Sequence, residues 1–132
     1  MKNYVVVAAI IINNNNKILC VQRKQSKYDY VSFKYEFPGG KVEPNETKEE
    51  AIIREIKEEL NLDIQITKEF LTVNHTYPDF SLTMISYLCT STSSELMLRE
   101  HVAFQWLNND ELEKLDWAAA DIPIVHQLMQ IY

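Results

Sequence analysis

The order of apolar patterns along these 132 residues predicts an α+β fold in which helices pack on a mixed sheet. Three observations carry that prediction. A β-branched run opens the chain, a capped amphipathic helix sits between strands, and an alternating strand pair is followed by helix signals near the C-terminus. At this length one domain, residues 1–132, can bury a substantial core, and no internal repeat divides it.

Residues 4–12, YVVVAAIII, are apolar and mostly β-branched, which suits a strand. Asn13 to Asn16 tolerate turn and left-handed backbone, and residues 17–23 resume as a second strand, making a hairpin. Residues 24–32 are polar and read as a mobile loop. Residues 33–37 form a short aromatic strand that Pro38-Gly39-Gly40 terminates. The main helix follows, because Thr47 with Glu50 three residues on is a capping-box signature. At about 100° per residue, Ile52, Ile56 and Leu60 share one arc with Ile53, and Glu55, Glu58 and Glu59 border it. Residues 62–73 and 80–89 read as strands connected through residues 75–79, and residues 102–107 as another. Asn108 with Glu111 is a cap-like pair opening a second helix, and residues 121–131 show the spacing of a C-terminal one.

Composition narrows the function. An apolar fraction of 46%, a charged fraction of 24% and only two Gly are those of a soluble globular chain rather than a disordered or fibrous one. A net charge of −6 argues against capture of a nucleic acid polymer, whose phosphates are held mainly by Lys and Arg. A phosphate substrate would therefore need metal ions. Cys20 and Cys89 have no partner at zinc-site spacing and read as buried, inert thiols of a reducing compartment. The opening apolar run is too short to span a bilayer and lacks the pattern of a signal peptide, so no membrane association and a cytoplasmic location are expected.

The most informative residues are Glu55, Glu58 and Glu59. Groups three and four apart share a helix face, so like charges there repel by a few tenths of a kcal/mol per pair. Their place in the helix's C-terminal half offers no favourable dipole. A cation compensates such a cluster, and hard oxygen ligands on a rigid face suit Mg²⁺, with Mn²⁺ possible.

From Gly40 to Leu62 the chain reads GKVEPNETKEEAIIREIKEELNL, which resembles the Nudix box: Gly40, five residues, Glu46, seven residues, Arg54-Glu55, an aliphatic, one residue, Glu58-Glu59. Asn61 stands where that pattern has Gly, and Asn is the residue that best replaces Gly in a left-handed helix C-cap. The run EFPGGK, residues 36–41, and the tail AADIP, residues 119–123, extend the similarity to the MutT-like subgroup, closest in pattern to CTP pyrophosphohydrolases and 8-oxo-dGTP diphosphatases. The resemblance implies the Nudix fold, an α/β/α sandwich about a mixed sheet. It also implies Mg²⁺-dependent hydrolysis of a nucleoside triphosphate, CTP-like or an oxidised dGTP, to monophosphate and pyrophosphate in nucleotide-pool sanitation.

By the same resemblance the metal ligands fall on Glu55, Glu58, Glu59 and Glu100, with a backbone carbonyl of Gly39 or Gly40. Arg54 orients the acids, Glu46 supports from outside, and either Glu55 or Glu100 accepts the water's proton. Lys41 and Arg23 match phosphate-binding positions, and Tyr4, Val6, Phe37 and Asp121 match places that hold the base. Lys41 and Arg23 also suit solvated surface charges, and Asp121 equally suits a helix N-cap. An ionised Asp121 accepts from a cytosine amino group, whereas a buried, protonated one could meet an oxidised guanine. The expected partner is a small nucleotide, and the expected state a monomer or weak homodimer. His75, His101 and His126 have no recognisable partner at short range and receive no catalytic role. Two alternatives remain: a hydrolase of another nucleoside diphosphate linked to some moiety, and a nucleotide sensor without turnover.

Overall fold

The computed structural model describes residues 1–131. Its centre is β1 (Lys2–Ile12), flanked antiparallel by β2 (Ile18–Gln22), which pairs with β3 (Tyr35–Glu36). On its other side β1 runs parallel to β6 (Phe80–Thr90) in unbroken register, from Lys2↔Phe80 to Ile12↔Thr90. β5 (Gln65–Thr76) closes that edge antiparallel to β6. β4 (Gly39–Lys41) also pairs with β1, and β7 (Ala103–Leu107) also pairs with β2, giving a seven-stranded mixed sheet.

β1 is apolar almost throughout because both of its faces are covered. Val7, Ala9 and Ile11 point toward α1 (Lys48–Leu60) and pack with Ala51, Ile52, Ile56 and Leu60. Ala8 and Ile10 point the other way, into a core shared with Ile124, Val125 and Leu128 of α2 (Ile122–Ile131). Helices thus cover both faces, as the expected α/β/α sandwich requires. The bulge region of β5 is repaired by buried Ser86, whose Oγ donates to the Leu71 carbonyl at 2.7 Å and accepts from the Leu71 N–H at 3.1 Å. Cys20 and Cys89 are free and buried, and burial pushes the Cys89 thiol up to about 12.

Both ends of α1 follow the sequence. Thr47 Oγ1 accepts from the Glu50 N–H at 3.1 Å while Glu50 Oε1 accepts from the Thr47 N–H at 2.8 Å, completing the capping box. Asn61 ends the helix in the left-handed region, φ 54° and ψ 36°.

Several expectations need correction. Gly39-Gly40 do not merely break structure; they form β4, because a chain without Cβ atoms can lie flat against β1. The strand expected over residues 33–37 shrinks to Tyr35–Glu36, since Phe33 sits in a turn at φ 60°. The second helix is a 3-10 segment, Asn109–Lys114, that ends where Leu115 turns extended. The strand expected from residue 62 starts at Gln65, and the helix expected from residue 121 starts at Ile122 after a 3-10 turn, Ala119–Asp121. Ile53 is 47% exposed, whereas Glu55 and Glu59 lie on the buried side of α1, between Ala51 and Ile52 on the helical wheel. The loop over residues 24–32 is anchored rather than mobile. Tyr28 and Tyr30 stack at 5.4 Å, Tyr30 stacks on Tyr77 at 5.2 Å, and the Tyr30 hydroxyl donates to Asp79 at 2.8 Å.

Candidate active site

β4 crosses over α1 at the acids. A Cβ on Gly40 would fall 2.6 Å from Glu55 Oε2, so the missing side chain is what lets the Glu55 carboxylate lie against the β4 backbone. Arg54, one residue back, binds four acids. Its Nη2 donates to Glu46 Oε1 at 2.7 Å, and its Nη1 donates to Glu55 Oε1 at 3.0 Å and to Glu58 Oε2 at 3.3 Å, with Glu43 at 3.7 Å. The same Nη2 donates to the Lys41 carbonyl at 3.2 Å, tying helix to strand. These contacts hold Glu46 below the ordinary carboxylate range, chiefly through the Arg54 hydrogen bond.

Glu59 is different, for its Oε2 is buried without a hydrogen-bond partner. Burial, then the charge of Glu55 and a hydrogen bond with it, then the charges of Glu36 and Glu100 push its carboxyl up to about 8. An acid raised in the folded state binds its proton more tightly there than in the unfolded chain. Stability therefore falls as pH rises between about 4.5 and about 8. Thermal melts of the metal-free protein across that window should show the decline, and Glu59→Gln should remove part of it. A slope untouched by the substitution would contradict this origin.

Beside the acids lies a cavity of about 550 Å³. Its lining includes Glu59, Glu100, Gly39, Gly40 and Lys41. Tyr4, Val6, Phe37, Tyr77, Phe80 and Asp121 line it as well, with Arg23. Glu58, which is 60% exposed, and Glu55 are both outside this lining. Lys41 Nζ sits 4.3 Å over the Tyr4 ring, which places a cation at the mouth. Asp121 is buried, and its Oδ1 accepts from the Phe37 N–H at 3.0 Å, an 84-residue link rather than a local helix cap. Burial first, then the charge of Glu36, raise this carboxyl well above its usual value. Trp117 stacks on Phe37 at 4.7 Å and is core.

The profile of the NUDIX domain family matches residues 2–128. This chain belongs to the Nudix family. It is 31% identical to the CTP pyrophosphohydrolase of Escherichia coli strain K12 over 115 residues, 87% of this chain and 84% of that one. It is 44% identical to the 8-oxo-dGTP diphosphatase of Proteus vulgaris over 62 residues, a match spanning 47% of this chain and 55% of that protein. The solution structure of a MutT protein from methicillin-resistant Staphylococcus aureus 252 superposes with a TM-score of 0.73 at 43% identity, covering 98% of each chain. The chain is a Nudix hydrolase of the MutT type with the Nudix fold. No helix among the described residues is long and apolar enough to cross a membrane.

The donor set of this Nudix hydrolase fits a divalent cation. Glu59 presents a buried oxygen lacking a partner, Glu55 lies in the cradle that Gly40 leaves, and all the side-chain donors are hard carboxylates. As arranged, no three acidic, His or Cys groups among the described residues converge at ion-holding distance.

Two acid-side features escaped the sequence reading. His101, expected to stand without a partner, has its Nε2 2.9 Å from Glu36 Oε2, and Glu36 also binds Arg23. Glu49 of α1, to which the sequence analysis gives no role, accepts from the buried Tyr87 hydroxyl at 3.0 Å. Local patterning signals neither contact, since the partners lie 65 and 38 residues apart in the chain. Of the cavity residues, Tyr77 falls in the connection expected over residues 75–79 and Phe80 opens the strand expected from residue 80, and neither was expected as lining.

Proposed function

We propose that this Nudix hydrolase cleaves a nucleoside triphosphate to the monophosphate and pyrophosphate, with an oxidised guanine nucleotide as its substrate and nucleotide-pool sanitation as its role. The observation that supports this reading is one cavity lined both by the acids Glu59 and Glu100 and by aromatic rings with a buried, hydrogen-bonded carboxyl, Asp121. Glu55, Glu58, Glu59 and Glu100, with a carbonyl of Gly39 or Gly40, would hold Mg²⁺, or Mn²⁺ in its place. When bound, the ion neutralises charge on the phosphate oxygens and makes water a better nucleophile.

The chain's own residues do the rest. Arg54 orients Glu55 and Glu58, and Lys41 and Arg23, which line the cavity, draw in the polyphosphate. Glu100, exposed and 3.4 Å from Lys24 Nζ, is placed to take the proton that water loses. Tyr4, Val6 and Phe37 offer apolar surface to the base. Asp121 keeps Oδ1 on Phe37 and has Oδ2 to offer; burial favours its neutral form, which donates to a guanine carbonyl. The likeness to a CTP pyrophosphohydrolase favours a second reading, in which ionised Asp121 accepts from the cytosine amino group.

Nucleoside monophosphate formation from 8-oxo-dGTP, CTP, dCTP and ADP-ribose, followed by chromatography with and without Mg²⁺, tests the function. Turnover of 8-oxo-dGTP only with metal is the expected result. Cleavage of ADP-ribose alone would replace it with a hydrolase of linked diphosphates, and no turnover with a sensor. Asp121→Asn keeps an acceptor for Phe37 but always donates. It should therefore shift the ratio of 8-oxo-dGTP to CTP kcat/KM upward by about tenfold, the worth of one hydrogen bond. Equal losses on both substrates would make Asp121 purely structural.

A further inference from the structure

Among the described residues three buried polar side-chain atoms lack a hydrogen-bond partner: Glu59 Oε2, Arg23 Nε and His101 Nδ1. All three residues line the one cavity of about 550 Å³. Glu59 belongs to the acids already described. The other two belong to a separate cluster built by the β3, β2 and β7 end of the sheet. Val21 pairs with Glu36 and Gln22 with Ala103, which sets Arg23, Glu36 and His101 side by side on three neighbouring segments.

Glu36 joins them. Its Oε1 accepts from Arg23 Nη1 at 3.0 Å, and its Oε2 lies 2.9 Å from His101 Nε2. A carboxylate only accepts, so Nε2 carries the hydrogen and Nδ1 is the atom left without a partner. Exposure falls in sequence along the chain of contacts. The Arg23 side chain is 40% exposed, Glu36 is 20% exposed and His101 is 5% exposed. A buried ring thus fixes a carboxylate, and that carboxylate fixes one edge of an accessible guanidinium. Arg has rotamer entropy to lose when it grips a ligand, and holding one edge beforehand reduces what remains to be lost. The arrangement also keeps Arg23 engaged with Glu36 in a cavity that Glu59, Glu100 and Asp121 share.

We propose that His101 is a positioning residue, holding Glu36 so that Glu36 presents the Arg23 guanidinium to the substrate's polyphosphate. This rests on the triphosphate reading proposed above. His101 touches neither substrate nor reacting atoms; it acts through two side chains, and its effect belongs in binding rather than in the chemical step.

Steady-state hydrolysis of 8-oxo-dGTP and CTP with Mg²⁺ tests it, using wild type, His101→Ala, His101→Gln, Arg23→Ala and the His101→Ala/Arg23→Ala double variant. His101→Ala should raise KM about tenfold with kcat nearly unchanged. His101→Gln, whose amide nitrogen reaches the Nε2 position, should recover most of that loss. The double variant should be no worse than Arg23→Ala, because the two share one function. A fall in kcat at constant KM, or additive losses, overturns the proposal. Should His101→Ala fail to show a cooperative melt, Glu36→Gln takes its place, and an unaltered KM in that variant overturns the proposal equally. Wild-type protein that hydrolyses neither nucleotide defeats the functional reading. Positioning is then judged by calorimetric titration of the same variants with CTP, where affinity about tenfold weaker in His101→Ala supports it and equal affinities overturn it. A wild type that does not bind CTP overturns both.

Discussion

Glu58→Gln and Glu59→Gln are each expected to lower kcat about a thousandfold, since a metal ligand supplies several kcal/mol of charge stabilisation and about 4 kcal/mol corresponds to that factor. The two variants should part company in stability. Glu58 is 60% exposed and touches Arg54 at 3.3 Å, so its amide should melt like wild type. Glu59 has a buried, unpartnered oxygen beside Glu55, and a neutral amide there relieves repulsion. In metal-free buffer near pH 8, Glu59→Gln should therefore melt no lower than wild type while remaining inactive. Calorimetry with Mg²⁺ and Mn²⁺ supplies the second reading, with weakened or lost binding in both variants. Wild-type rates in both would remove the carboxylates from the metal site altogether.

The sequence made α1 legible because its signals are local. Thr47 with Glu50 and Asn61 with its left-handed backbone are settled within four residues, and both ends of the helix follow them. The hairpin of β1 and β2 and the acids of α1 are local in the same sense. What sequence reading missed depends on residues far apart. Gly39-Gly40 read as a break because nothing nearby announces that β1 will be their neighbour; only the paired register shows why two residues without Cβ atoms are needed. Periodicity placed Glu55 and Glu59 at the border of the buried face, yet they lie within it, since burial is set by the β4 crossing and not by side-chain hydropathy. His101 finds Glu36 65 residues away, and Asp121 finds Phe37 84 residues away. Such contacts are products of strand order, which the linear pattern does not encode.

The strand order that hides the glycines from the sequence also separates their roles, and Ala substitutions should expose the difference. At Gly39 an added Cβ would stand 1.9 Å from the Val7 carbonyl oxygen and 2.9 Å from the Ala8 Cα. Both belong to the backbone of β1, which no rotamer change can move aside. Gly39→Ala must open the Val7↔Gly40 and Ala8↔Gly39 pairing, and the expected loss is about 3 kcal/mol of stability, the upper range for overpacking. Gly40→Ala meets instead the far end of a side chain, the Glu55 carboxyl carbon at 2.4 Å. That group can turn away, but only by leaving the Arg54 contact at 3.0 Å and its place against β4. The fold should survive with a small loss, while kcat should fall about a hundredfold, the usual result of displacing a catalytic group by about 1 Å. Thermal melts and kcat measured on the same two preparations separate the effects. If Gly40→Ala retained full activity, Glu55 would not need its position beneath β4, and the cradle assigned to it would have no part in the reaction.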